Sequence, residues 1–165
     1  MAEKIKSLEQ LFLHQLKDLY DVESQIIKAL PKMAKKASSS ELKKAFEIHL
    51  KETEEQKKRL EECFKELGEK PSAAKCAGIR GIIEEGEELM KKLEEPAMDA
   101  GLVASAQRVE HYEMAAYGTA RTFASQLGHE EMADVLQEIL DQESATDEKL
   151  SQIAEQELNQ KAAAT

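Results

Sequence analysis

Four stripes of apolar residues run through this chain, and the middle of each carries polar or acidic residues. Glu23 interrupts the stripe of Leu8, Phe12, Leu16, Leu19, Ile26, Leu30 and Met33. Glu110 and Glu113 interrupt Val103, Ala106, Tyr117, Ala120, Ala124 and Leu127. Glu143 interrupts Met132, Val135, Ile139, Leu150 and Ile153. In the remaining stripe, Leu42, Phe46, Leu60, Cys63 and Leu67, the middle is His49, Thr53 and Gln56, with Glu52 on the flank. Acids turned into a core repel one another and lose hydration. They are tolerable when protonated, when hydrogen-bonded to amide or basic groups, or when cations neutralise them. No lysine or arginine stands in these stripes at that level. Divalent ions that take oxygen ligands suit such a set, and iron or manganese accepts carboxylate together with imidazole. The candidate metal ligands are therefore Glu23, Glu52, Glu110, Glu113, Glu143, His49 and Asp147.

Spacing refines the roles. Glu110 and Glu113 share one helical face, so one can bridge two ions while the other ends on one. His49 sits one turn from Glu52 and is either a ligand, an orienting partner or a hydrogen-bonded core histidine. Asp147 lies one turn beyond Glu143 and either adds a ligand or faces water. His111 reads as an orienting or surface residue, and His14 and His129 as surface residues. Tyr20, Tyr112 and Tyr117 read as packing residues; Tyr117 could also hydrogen-bond near a redox metal or donate an electron to it.

The elements that must position these groups follow from apolar spacings of three and four. Helices are expected over about Ser7–Ala37, Glu41–Leu67, Met98–Leu127 and Glu130–Gln156. Ser7 is an N-cap candidate with Gln10 at the capping-box position, and Pro31 should kink the first helix. One of Ser38, Ser39 and Ser40 should cap the second. Gly68, followed by Pro71, and Gly128 should end the second and third. Short loops make each pair an antiparallel hairpin, while Glu69–Ala97 forms a crossover with an amphipathic piece from Ala77 to Glu94. Four helices with one long crossover make a ferritin-like four-helix bundle, all-α, in one domain. Glu23 and Glu52 lie about fourteen or fifteen residues either side of the first hairpin loop, and Glu113 and Glu143 about fifteen either side of the second. All four acids should share one level. The tail, residues 159–165, reads as frayed.

Composition limits the function classes. The 165 residues carry a formal net charge of −10 and no tryptophan. Phosphates need a basic face, so a general nucleic-acid binder is excluded. No apolar run approaches membrane-spanning length and the start, MAEKIKSLEQ, lacks a signal-peptide core, so a cytoplasmic protein without membrane contact is expected. Cys63 and Cys76, without a CxxC pattern, read as reduced thiols.

The segments LYDVESQIIKALPKMAKKASSSELKKAF, HLKETEEQ, AQRVEHYEMAAYGTA and QLGHEEMADVL…LDQESATDEKL resemble the YciF-like family of bacterial stress-associated proteins, a branch of the ferritin-like superfamily. VEHYE-x-x-x-YGT is the most specific part, and the likeness runs from Leu8 to about Ala154. The resemblance implies a helical homodimer with a ferritin-like core site, induced under osmotic or envelope stress. In rubrerythrin-like relatives each hairpin supplies a lone Glu and then an E-x-x-H motif. Glu23, Glu52, Glu110, Glu113 and Glu143 match the carboxylate positions, whereas Glu55 and Thr146 stand where those relatives have His. His49 lies on the other side of Glu52.

Two functions compete. One is a dinuclear iron or manganese protein reacting with oxygen or peroxide, with Glu23 and Glu52 on one ion, Glu110 and Glu143 on the other, and Glu113 bridging or mobile. The other is a non-catalytic helical stress protein that binds a partner, its core acids protonated or bonded to Gln56, Thr53, His49 and Tyr117. A storage cage ranks third.

Overall fold

The computed structural model describes residues 4–164. Its elements are α1 (Leu8–Lys36), α2 (Ser40–Glu66), α3 (Ala77–Met90), α4 (Ala97–Gln126) and α5 (Glu130–Ile153). A π-helical stretch, Ala154–Leu158, then leads into a short α6 (Asn159–Ala163). The described residues are helical throughout apart from their connections, with no strand among them.

Local chemistry sets the helix ends. Ser7 Oγ accepts from Gln10 N, and Gln10 Oε1 accepts from Lys6 N, one residue earlier than a capping box requires. Ser39 caps α2 by accepting from Leu42 N, and Ser40 is already helical. The buried Asp99 then receives the free amides of Ser38 and Ser39 at 2.9 and 2.8 Å, fixing the α1–α2 turn to the start of α4. Gly68 and Gly128 stop α2 and α4 with φ of 71° and 81°, a region costly for residues with a Cβ. Pro31 lies inside α1, which continues to Lys36.

The four long helices close a ring of contacts: α1 on α2, α2 on α5, α5 on α4 and α4 on α1. Contacts along them give the directions. Tyr20 meets Glu61 across α1–α2, and Gln107 meets Asp147 and Ser151 across α4–α5. Phe12 stacks on His129 at one end of α1 while Ser38 meets Asp99 beyond the other. Each neighbouring pair is therefore antiparallel. Because α2 ends and α4 begins at opposite ends of the ring, the connection must travel its length, and α3 does so against α1 and α4. Gly101 leaves room for the residues just past α3, since a Cβ there would stand 2.1 Å from Leu93 Cδ1.

The crossover is anchored at Cys76. Its amide donates to Asp21, its Sγ lies 2.9 Å from the Tyr112 hydroxyl, and its carbonyl accepts from Gln25. Both cysteines are free. The amphipathic helix expected to reach Glu94 ends at Met90. The segment expected to fray is helical as far as Ala163, because the π-helical stretch keeps Ala154 and Leu158 buried; Thr165 lies outside the described residues. No helix among the described residues is long and apolar enough to cross a membrane.

The apolar core is in two parts. One contains Ile26, Leu30, Phe46, Leu102, Ala106 and Leu150; the other contains Phe12, Leu16, Leu60, Phe64, Leu136 and Ile139. Between them lies a polar layer.

Candidate metal centre

Each long helix sends side chains into that layer. Helix α1 supplies Glu23, α2 supplies His49, Thr53 and Gln56, α4 supplies Glu110, Glu113 and Tyr117, and α5 supplies Glu143. All are at most 2 % exposed, a degree of burial charged side chains reach almost only when paired. Helical geometry explains the selection on α2: His49, Thr53 and Gln56 follow the seam at steps of four and three. Thr53 turns its hydroxyl back to the His49 carbonyl at 2.8 Å and adds no free donor to the layer.

His49 stands between two carboxylates, Nδ1 3.2 Å from Glu110 Oε1 and Nε2 3.6 Å from Glu143 Oε2. Gln56 Nε2 donates to Glu143 Oε1 at 2.6 Å, and Tyr117 donates its hydroxyl to Glu23 Oε1. The second oxygens of both acids, both oxygens of Glu110 and Glu113, and both ring nitrogens of His49 are buried without a hydrogen-bond partner. Such orphans are rare in native interiors and call for a proton, a water or an ion. Ligand atoms from His49, Glu110, Glu113 and Glu143 all lie within 4.8 Å of one another.

The electrostatics carry the same message. Burial pushes Glu23, Glu110 and Glu113 well above the ordinary carboxylate range, and the charge of Glu143 pushes each further. Burial pushes Glu143 up too, but the Glu110 carboxyl, the His49 imidazole and the Glu113 carboxyl close beside it bring it down to about 2. Burial and mutual repulsion thus favour the protonated forms of Glu23, Glu110 and Glu113 and leave Glu143 as the acid that most readily ionises. Burial, then the neighbouring carboxyls of Glu23 and Glu113, hold the Tyr117 phenol well above its usual range, so it remains a donor.

The candidate ligands are placed unequally. Glu110, Glu113, Glu143 and His49 converge, and Glu23 lies against Glu113 and the charge of Glu143. Glu52 is half-buried and lines a groove between α2 and α5, within reach of the charges on His49 and Glu143. It is one residue from Thr53, about 100° around the helix, and stays outside the converging group. Asp147 also stays outside: it accepts from Gln107 at 3.1 Å and faces the exposed His111 at 3.3 Å. Sequence reasoning did not single out Asp99 or Ser105. Both are buried, but a polar residue at one stripe position carries no sign of its partner.

Residues 7–163 match the family described as a domain of unknown function, DUF892. The chain belongs to the DUF892 family. Protein YciF of Escherichia coli K12, similar over the full length, is 42% identical across 160 residues, covering 96% of each chain. The crystal structure of that stress protein superposes on this DUF892 chain with a TM-score of 0.89 at 41% identity, over 94% of this chain and 99% of the other. YcfI of Rhodopseudomonas palustris gives 0.89 at 42% identity, over 92% and 97%. A protein of Xanthomonas campestris pv. campestris gives 0.74 at 26% identity, over 90% and 92%. The resemblance read from the sequence is thus borne out, and a buried His/Glu group able to hold a metal lies at the centre of this DUF892 chain.

Proposed function

We propose that this chain is a ferritin-like four-helix bundle, α1, α2, α4 and α5 with α3 in the crossover, that binds divalent iron or manganese, as a pair of ions, in its central layer. The observation that carries the reading is the convergence of His49, Glu110, Glu113 and Glu143 within 4.8 Å, with most of their ligand atoms unpartnered. Carboxylates with one imidazole are the donor set such ions accept. Gln56 and Tyr117 act as orienting partners, each holding one oxygen of an acid so that the other stays free. Glu52 is the entry-side carboxylate, at the groove.

When bound, such ions supply Lewis acidity and a second oxidation state, which suits a reaction with oxygen or peroxide during stress. The name of the Escherichia coli relative supports the stress role. A cytoplasmic homodimer completes the proposal.

A second reading is favoured by the donors already in place. Gln56, Tyr117 and His49 face three of the acids, and a partly protonated layer could be a structural device of a non-catalytic stress protein that binds a partner. Anaerobic loading with Fe(II) or Mn(II), followed by metal analysis, a melt and an absorbance trace on adding peroxide, separates the two. Uptake of a pair of ions with a raised melting temperature supports the first, since a ligand at 100 times its Kd adds about 2.7 kcal/mol. No uptake and no shift overturns it.

A further inference from the structure

A second feature adjoins the acidic layer and has a different chemistry. Between α1, α3 and α4 lies a pocket with a cavity volume of about 30 Å³. Its walls are apolar: Ile26, Met33, Ile83, Met90, Ala106 and Val109 face it. The buried His49 and Glu110, two residues of the candidate metal group, line it as well. So do Lys32 and Glu87, whose exposed ion pair at 2.8 Å spans α1 and α3. The pocket therefore borders both the surface and the polar layer, against the crossover helix.

Two details show that the space belongs to the fold. Gly86 lets α3 come close to α4, since a Cβ there would stand 3.2 Å from Ser105 Cβ. Ser105 lines the pocket with a buried hydroxyl that has no hydrogen-bond partner. The volume exceeds the ~10–15 Å³ that one water-sized molecule needs. Its polar groups are confined to Ser105, the His49–Glu110 pair and the surface pair Lys32–Glu87; the rest of the lining is apolar, and apolar cavities stay dry and take up apolar solutes. A metal ion in such walls would lose hydration without compensation.

We infer that this pocket is the port by which dioxygen, a small neutral apolar molecule, reaches the His49–Glu110 side of the metal layer, while ions enter elsewhere. The inference rests on the metal-binding reading for its destination, but the pocket's occupancy can be tested without metal. Krypton is the probe, and the full chain without metal is crystallised under krypton pressure. One krypton among Ile26, Ile83 and Ala106 is expected. An empty pocket, or a water held there by Ser105, overturns the inference. Ala29→Leu, on the half-exposed wall, should abolish the krypton site. It should also slow oxidation of the Fe(II)-loaded chain about tenfold or more with dioxygen as electron acceptor, at unchanged iron uptake. Ser105→Ala, which removes only the hydroxyl, should keep both krypton and rate. An unchanged rate in an Ala29→Leu protein that has lost krypton overturns the port. Krypton without iron uptake sinks the metal reading, and the port with it; iron uptake without krypton sinks the port alone.

Discussion

His49 faces Glu110 with one ring nitrogen, at 3.2 Å, and Glu143 with the other, at 3.6 Å, so a single imidazole lies between acids from two different helices. An apolar side chain in its place leaves two buried carboxyl groups with no nitrogen to face. His49→Leu should lower affinity for Fe(II) or Mn(II) by about tenfold or more, as loss of a ligand or orienting partner does. A metal titration under anaerobic conditions measures this; unchanged affinity would exclude His49 from the centre.

Glu113 is fully buried and neither of its oxygens has a partner. An unsatisfied buried polar group costs about 1–3 kcal/mol. Glu113→Leu should therefore match or exceed the metal-free wild type in denaturant midpoint. The same variant should lose metal stoichiometry and the metal-dependent rise in melting temperature. The non-metal reading shares the first outcome but not the second, so the pair of measurements discriminates.

Tyr117 is the donor to Glu23, whose other oxygen is unpartnered. Tyr117→Phe deletes one hydroxyl in a full core and strands that carboxyl. A loss of about 1–3 kcal/mol is expected by chemical denaturation. Glu23→Leu should abolish most of the penalty in a double-mutant cycle, because the stranded group is then gone. Equal penalties in both backgrounds would show that the hydroxyl stabilises by another route.

Stability of the metal-free protein should fall as pH rises. Glu23, Glu110 and Glu113 have folded values raised above 4.5, so the folded chain holds more protons than the unfolded one from about that pH upward. Each retained proton lowers stability by about 1.4 kcal/mol per pH unit across its window. Glu143 has the opposite sign: its contribution is full above 4.5 and is lost as pH falls toward about 2. Stability should peak in mildly acidic buffer and decline toward neutral pH, and bound metal should remove the decline. Denaturant midpoints at several pH values, with and without Mn(II), would show it; a profile identical in both would contradict a metal centre at these acids.

Much of the candidate site could be read in the sequence, because inward-facing helical residues recur at steps of three and four. Glu23, Glu110, Glu113, Glu143 and His49 each fall on a stripe, and their burial follows from that register. The loop serines and Gly128 marked the two hairpins, and Gly68 the start of the crossover, because helix caps and left-handed turns are local. Periodicity says less about residues on a stripe's flank. Glu52 and Asp147 lie near the seam in sequence, but their side chains reach a groove and a Gln107–His111 pair. The C-terminal segment looked featureless because its burial depends on a change of helical pitch at Ala154.

By itself, then, the sequence determined which residues each helix turns inward and at what height the acids sit, since both are properties of one helix and its loop. Only the tertiary structure decided that His49 falls between Glu110 and Glu143 and that Gln56 reaches Glu143. It alone placed an apolar pocket under α3 against that layer. Those relationships join different helices, and a helical repeat records the face a side chain takes but not what stands opposite it.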